Sequence, residues 1–265
     1  MRIQNSHGHA VRDLDAYSRP PEAASLLGSE GDHLPNGLWV PAAGDGAIVH
    51  PHAKDAAQDL LKFAGDRRFS TVLADPPWRF TNRTGKMAPE HHRLSRYGTL
   101  ALDEIAGLPV GKVAADRAHL YLWVPNALLA EGLRVMGAWG FTYKANLVWH
   151  KVRKDGGSDG RGVGFYFRNV TELILFGIRG KGMRTLAPGR RQVNLISSQK
   201  RENSRKPDEL YPIIEACSPG PCLELFGRGT REGWETWGNQ ADDGYKPTWP
   251  TYSHHSRADA VNPVE

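Results

Sequence analysis

Ser70-Thr71-Val72-Leu73-Ala74-Asp75-Pro76-Pro77-Trp78 is the stretch on which the architecture turns. Its opening is a short apolar run without polar alternation, the pattern of a strand buried on both faces of a sheet. Asp75-Pro76-Pro77 then stops it, because two prolines fix φ and remove two ladder donors. Four further runs have the same character: 119–124 (HLYLWV), 145–150 (ANLVWH), 170–177 (VTELILFG) and 221–227 (PCLELFG). Helical patterns lie between some of them. Residues 102–108 form a short one. Residues 126–137 place Asn126 as N-cap, Leu129, Leu133 and Met136 on an apolar stripe, and Gly137 at the C-terminal end. Residues 206–217 carry Asp208 and Glu209 in the first turn and a stripe of Leu210, Ile213, Ile214 and Cys217, with Pro212 kinking or shortening the helix. Strands alternating with helices predict an α/β fold, a mostly parallel open sheet flanked by helices, whose ligands bind outside the carboxyl ends of the strands.

At the end of the first strand the chemistry is already suggestive. Asp75 offers a carboxylate, and the carbonyl of Pro76, with no N–H on either proline to compete for it, offers a second acceptor. Trp78 adds a flat polarisable surface. Two acceptors beside a stacking face suit an exocyclic amino group on a planar base; a strand ending in a proline turn with a core tryptophan is the plainer reading of the same four residues.

Composition narrows the field. The chain has 265 residues, of which 40% are hydrophobic, and no apolar run approaches the ~20 residues that span a bilayer. No apolar core follows Arg2, so no secretory signal is read and the chain is expected in the cytoplasm. Two cysteines, Cys217 and Cys222, provide neither a disulfide framework nor a zinc set, and no histidine pair has metal-ligand spacing; reduced thiols and no metal are expected. Residues 1–50 mix Pro, Gly, Ser, His and charge without periodicity and read as a flexible lead-in; 51–240 read as the folded domain and 241–265 as a flexible tail.

A second motif lies late in the chain. In Pro221 to Trp234 (PCLELFGRGTREGW) a hydrophobic strand carrying Glu224 runs into Phe226-Gly227-Arg228-Gly229, which resembles the glycine turn by which class I methyltransferases hold S-adenosylmethionine (SAM). Dinucleotide-binding folds use similar turns, so a nucleotide-dependent oxidoreductase is a competing reading of this motif alone.

Seven blocks in order, namely 74–78 (ADPPW), 96–105 (RYGTLALDEI), 120–124 (LYLWV), 138–151 (AWGFTYKANLVWHK), 169–181 (NVTELILFGIRGK), 204–228 and 233–240 (GWETWGNQ), resemble the adenine-N(6) methyltransferase family with the DPPW signature. That family includes the catalytic subunit of the eukaryotic messenger-RNA adenosine methyltransferase and bacterial and phage members. The resemblance implies a Rossmann-like class I fold in permuted motif order, with DPPW ahead of the glycine turn, and SAM as cofactor. It implies that Asp75 and the Pro76 carbonyl, within the catalytic Asp75-Pro76-Pro77-Trp78, hold the adenine amino group while Trp78 stacks on or borders the base. It places Asp75, Lys206, Glu224, Phe226, Arg228, Asn239 and Gln240 at the cofactor, and Glu172, Lys206 and Arg205 by the target base. The cofactor's adenine contact falls on Asp55 or Asp59, or else both are exposed helix residues. Family members often carry a histidine before the lysine, where this chain reads Glu202-Asn203-Ser204-Arg205.

The implied reaction is in-line displacement, the adenine nitrogen taking the methyl group, with catalysis from orientation and acceptors. A duplex adenine would have to be flipped out. Charge is placed to match: 79–96 and 144–168 each carry +4 and 179–206 carries +8, against a whole-chain net of +5, so the rest of the chain is acidic. These tracts are expected to be basic loops around the pocket that contact phosphates, with Tyr97 and Trp149 as base-stacking candidates, Trp149 alternatively in the core. Nucleic acid is the expected partner, DNA ahead of RNA, with no membrane, and with a homodimer or a heteromeric partner both open. A catalytically silent nucleic-acid-binding subunit of the same family is the remaining alternative.

Overall fold

The computed structural model describes residues 51–79, 100–159, 166–200, 205–241 and 244, all within the Val49–Glu265 unit of the chain. The lead-in, nearly all of the tail, most of the first basic tract and Tyr97 lie outside them. Helix α1 (Pro51–Ala64) precedes strand β1 (Phe69–Ala74); α2 (Leu102–Ala106) and α3 (Val110–Val113) lead into β2 (Ala114–Val124). Then come α4 (Leu129–Ala138), β3 (Thr142–Val152), β4 (Thr171–Arg179), β5 (Leu195–Gln199), α5 (Leu210–Cys217), β6 (Cys222–Leu225) and β7 (Trp234–Trp237).

The seven strands form one sheet in the order β5-β3-β4-β2-β1-β6-β7. β1 runs parallel to β2 and β6, β6 to β7, and β3 to β5; β4 alone runs against its neighbours β2 and β3. The sheet is therefore the mostly parallel α/β sheet expected, with one reversed strand that the apolar run at 170–177 did not reveal, because burial on both faces gives the same continuous pattern in either direction.

Alternate residues of the central strands feed two cores. Val72, Leu120, Leu122, Leu175 and Leu223 pack under α1 to α4 through Leu60, Ile105, Val113, Val135 and Met136. Leu73, Tyr121, Trp123, Ile174 and Phe176 face the other side and meet Leu210, Tyr211 and Ile214 of α5. Each such side chain contributes about 1.5–3 kcal/mol of burial. In α1, Leu60 and Ala64 sit one turn apart on the buried face, and Gly65 ends the helix at φ +55, its N–H bonded to the Leu61 carbonyl.

Two helix expectations are corrected. Asn126 does not cap a helix: it lies in a 3-10 turn, Asn126–Leu128, and its side-chain amide donates to the Thr171 carbonyl at 3.1 Å, tying that turn to β4. The helix starts three residues later, which turns its buried face to Gly132, Val135 and Met136 and leaves Leu129 and Leu133 42% and 40% exposed. Gly137 is inside the helix, and Gly140, at φ +82, makes the reversal. Likewise α5 begins only at Leu210, so Asp208 and Glu209 precede it and Pro212 stands in its first turn, where a missing N–H costs nothing.

Candidate active site

Strand order changes direction at β1, whose two neighbours β2 and β6 come from distant parts of the chain. The crevice beyond its carboxyl end is the switch point at which open α/β sheets bind ligands. Asp75 is the first residue past that end, its N–H donating to the Leu225 carbonyl of β6 at 3.3 Å. Because β4 runs the other way, its amino end reaches the same edge, bringing Glu172 alongside the carboxyl-end residues Trp123 of β2 and Lys151 of β3.

Lys206 joins these pieces. Its ammonium lies 3.0 Å from Asp75 Oδ2 and 3.4 Å from Glu172 Oε2, and 5.2 Å from the centre of the Trp123 ring. The other oxygen of Glu172 pairs with Lys151, itself 4.9 Å from the Trp149 ring centre. The result is an alternating chain, Asp75–Lys206–Glu172–Lys151, backed by two indoles. Burial raises the Asp75 carboxyl above its usual range even though Lys206 pulls it down. For Glu172 burial again pushes upward, but the ammonium groups of Lys206 and Lys151 outweigh it and the carboxyl is held below the usual range. Lys206, which burial alone would depress, is raised by Asp75 and Glu172 and stays charged. Asp75 keeps 36% of its side chain exposed, so the carboxylate is open to a ligand.

The proline turn behaves differently from its sequence reading. The Pro76 carbonyl accepts the Trp78 N–H at 2.8 Å, leaving one lone pair rather than two for a ligand, and the Pro77 carbonyl accepts from Leu100 N–H at 3.0 Å. Trp78 is 5% exposed and its indole N–H donates to the Trp123 carbonyl at 2.9 Å. Its ring belongs to the core and braces the turn; the open stacking face expected of it is covered. Trp149 is also core, its indole donating to Ser198 Oγ at 2.9 Å.

The second lobe is the glycine turn after β6. The N–H groups of Phe226 and Gly227 both point to the Trp237 carbonyl, at 2.6 and 3.3 Å, and Gly229 N–H donates to the Gln240 carbonyl at 2.7 Å, so the turn and the Asn239–Gln240 segment are laced together. Phe226 takes φ +63, a left-handed conformation that costs a non-glycine residue of order 1–3 kcal/mol. A Cβ on Gly227 would stand 2.4 Å from Thr236 Cγ2 and 3.0 Å from the Glu224 side chain, which is why glycine is required there. Glu224 is held by the Tyr211 hydroxyl, which donates to Oε1 at 2.8 Å, and lies 3.7 Å from Arg231. Arg231 stacks on the Tyr211 ring at 3.5 Å and pairs with Asp208 at 3.2 Å. Arg205, expected beside the substrate, is instead buried and pairs with the same Asp208 at 2.7 Å, because a carboxylate with two acceptor oxygens can satisfy both guanidinium groups in the low-dielectric interior.

Asp59 and Asp55 are exposed on α1, and Asp59 accepts the Trp237 indole N–H at 2.8 Å, fixing the helix to β7. Arg228 is half-buried, close enough to lower the Asp75 carboxyl; Asn239 is exposed and Gln240 half-buried. The structure thus gathers Asp75, Glu172 and Lys206 in one cluster and Glu224, Phe226, Arg228 and Gln240 in the adjoining turn. Sequence reasoning missed Lys151, Trp123, Tyr211, Asp208 and Arg231, which act through pairings far apart in the chain. Cys217 and Cys222 are both free and buried, and burial pushes the Cys222 thiol up to about 11, so neither offers a thiolate. Among the described residues no helix is long and apolar enough to cross a membrane.

These features define a Rossmann-like α/β sheet with an acidic–basic cluster at its switch point, and comparison with known proteins gives the class. Residues 69–240 match MT-A70, and the chain belongs to that family. It is 32% identical over 182 residues to the N(6)-adenosine-methyltransferase catalytic subunit METTL3 of Homo sapiens, covering 66% of this chain and 28% of that protein. It is 31% identical over 208 residues to a probable N(6)-adenosine-methyltransferase MT-A70-like protein of Oryza sativa subsp. japonica, covering 72% of this chain and 27% of that one. With the Type II methyltransferase M.MunI of a Mycoplasma species it shares 27% identity over 193 residues, 67% of this chain and 79% of that enzyme. The chain therefore spans little more than a quarter of the length of the eukaryotic relatives and most of the length of the Mycoplasma one.

Proposed function

We propose that this protein transfers a methyl group from SAM to the 6-amino group of adenine in nucleic acid, DNA in the first place. The observation that carries the reading is the placement of Asp75 at the switch point, open to a ligand on one side and held by Lys206 on the other. Membership of a family whose relatives are named adenosine methyltransferases supports it. The domain is taken as 51–240, the matched region extended by α1, whose Leu60 lies in the core.

The residues fit the cofactor. Thr236 Oγ1 is buried beside Gly227 without a hydrogen-bond partner among the described residues, and Gly227 leaves no room for a Cβ between Thr236 and Glu224. Glu224, Phe226, Arg228, Asn239 and Gln240 would hold it from the glycine turn, and Lys206 would meet its carboxylate. When bound, SAM would supply a methyl group already activated by its sulfonium charge, the methyl–sulfur bond giving its electron pair to S-adenosylhomocysteine as the leaving group. Asp75 and the free lone pair of the Pro76 carbonyl accept the two amino hydrogens of adenine, drawing the nitrogen lone pair out of ring conjugation. As the N–CH3 bond forms, positive charge grows on that nitrogen and one of its protons must leave. A carboxylate whose affinity for protons is raised by burial stabilises that charge and can take the proton. Lys206 and Glu172 fix the carboxylate's orientation.

The likeness to the Type II methyltransferase of Mycoplasma supports DNA; the likeness to relatives named N(6)-adenosine-methyltransferases, adenosine being the ribonucleoside, supports RNA as second reading. Incubation with labelled SAM and matched duplex DNA, single-stranded DNA and structured RNA, followed by mass spectrometry of the nucleosides, tests both. N6-methyladenine from DNA is expected, and no methylated adenine from any polymer would remove the proposal. Thermal stabilisation by S-adenosylhomocysteine but not by NAD is expected too, about 2.7 kcal/mol at a hundredfold excess over the dissociation constant.

A further inference from the structure

The basic tracts supply fewer phosphate contacts than their charge suggests. Lys151 and Lys206 are engaged in the active-site cluster, Lys200 pairs with Asp159 at 2.9 Å, and the Arg179 guanidinium donates to the Gly111 carbonyl at 2.6 Å. Residues 144–152 and 195–199 are strand, not loop. Another feature stands out at the same edge. In the β3–β4 connection Tyr166 is 93% exposed and Phe167 is 86% exposed. These are far more exposed than any other large hydrophobic side chain among the described residues.

The pair is not on a free-floating segment. Just after it, the Asn126 side-chain amide donates to Asn169 Oδ1 at 3.3 Å and to Thr171 at 3.1 Å, and Lys151 N–H donates to the Val170 carbonyl at 2.8 Å. Phe167 is five residues from Glu172, so it lies within about 17 Å of it along the most extended chain. That is about five steps of a stacked nucleic-acid strand at about 3.4 Å each. Arg153, Lys154 and Arg168 belong to the same connection, Arg153 pairing with Asp155 at 2.8 Å.

We propose that Tyr166 and Phe167 are a stacking platform for unpaired bases beside the target adenine, and hence that the substrate is a single-stranded or locally opened strand. This rests on the adenine-methyltransferase reading above. Two large rings left in water five and six residues before Glu172 forgo the burial that aromatic side chains normally gain. Bases recover it without sequence preference, since every base has a flat face, while neighbouring cations meet the phosphates. A protein partner is disfavoured because a stable interface needs on the order of 1,000 Å² with a contiguous apolar centre. No other exposed large hydrophobic side chain is present in this connection among the described residues. Duplex ends would present only one face and keep their other bases paired.

The test uses the full chain as wild type, as the double variant Tyr166→Ala/Phe167→Ala, and as Tyr166→Phe/Phe167→Trp. A short oligonucleotide with one adenine flanked by fluorescent 2-aminopurine is titrated as single strand and as duplex, in DNA and in RNA. S-adenosylhomocysteine binding and thermal stability serve as folding controls. In the wild type, binding is expected to change the 2-aminopurine emission of the single strand. The alanine pair is expected to weaken single-strand binding at least tenfold and abolish that change, the aromatic pair to restore both, and homolog-cofactor binding to stay as in wild type. Wild-type single-strand binding and methylation in the alanine variant would overturn the platform and leave the methyltransferase reading intact. The same holds if sedimentation shows a wild-type oligomer that the alanine pair dissolves with strand binding unchanged, which would assign the rings to a protein contact. A wild type that binds S-adenosylhomocysteine yet methylates adenine in no strand would overturn the parent reading and the platform with it.

Discussion

Glu172 and Asp75 are two carboxylates on one lysine, and their environments push them in opposite directions: Asp75 upward through burial, Glu172 downward through two ammonium groups. Under the proposed methyl transfer such a split suits the raised carboxyl to proton handling and the lowered one to holding charge. It also gives opposite signs to two substitutions. Lys206→Met removes the cation that lowers Asp75, so the carboxyl rises further and the acid limb of the pH profile of kcat/KM for adenine methylation moves to higher pH. Glu172→Gln removes a negative charge that raises Asp75 and frees Lys206 to serve Asp75 alone, so the limb moves to lower pH. In the wild type the limb should lie above the ordinary aspartate value of 3.8. Shifts of the same sign in both variants would mean that the limb reports another group. Because the three charges are coupled, each apparent value belongs to the cluster rather than to one residue.

Among the elements, glycines separate what the chain needs for ligand binding from what it needs for helix packing. Gly227→Ala puts a Cβ 2.4 Å from Thr236 Cγ2 of β7 and 3.0 Å from the Glu224 side chain of β6, the two strands that frame the glycine turn. Overpacking of this kind costs about 1–3 kcal/mol. Since Glu224 is the movable neighbour, S-adenosylhomocysteine affinity is expected to fall at least about tenfold, about 1.4 kcal/mol by calorimetry. Gly137→Ala is the opposite case: it sits in α4, has nothing within 4 Å of the added Cβ, and has no positive φ. It should stabilise the fold by roughly 0.5–1 kcal/mol in denaturant unfolding and leave the affinity alone. The same pair shows what was legible beforehand. Strands β1, β2, β3, β4 and β6 and the turn at Gly227 were visible because burial and glycine leave local marks. Gly137 looked like a helix end because a 3-10 turn at Asn126 displaces α4 by most of a turn, and Asn126 spends its side chain on Thr171, a partner 45 residues away. β5 and β7 are edge strands with polar or short sequences, LISSQ and WETW, whose pairing comes from the neighbour rather than from their own pattern. Lys151 and Arg231 were invisible for the same reason: their partners, Glu172 and Asp208, are brought to them by sheet register and by the approach to α5.

Across the whole molecule, polar groups sunk in the sheet at a distance from the reacting edge set its tolerance of acid. His119 of β2 has no exposed surface; Ser218 Oγ lies 2.7 Å from its Nδ1 and 2.8 Å from the Tyr121 hydroxyl, so one serine bridges the strand to the end of α5. Its Nε2 has no hydrogen-bond partner among the described residues, and the Phe176 ring stands edge-on 5.0 Å away. An imidazole in such a place is neutral when folded, and burial lowers it from 6.5 to about 4. The unfolded chain, whose histidine titrates near 6.5, binds the proton first. Between those two values the unfolded state carries more protons than the folded one, so stability is full above pH 6.5 and declines as the pH falls towards 4. The loss from this one group amounts to about 3 kcal/mol at most. His119→Asn keeps an amide near Ser218 and removes the titration. Its unfolding free energy, measured by urea titration at several pH values, should therefore be lower than that of the wild type near neutrality. The gap should close as the medium is acidified, the other histidines and the carboxylates contributing equally to both proteins. A gap that stays constant from pH 7 to pH 4 would mean that His119 is not the proton acceptor. The acid sensitivity would then lie in carboxylates such as Glu172, held below the usual range by Lys206 and Lys151, whose loss would appear at lower pH and in both proteins alike.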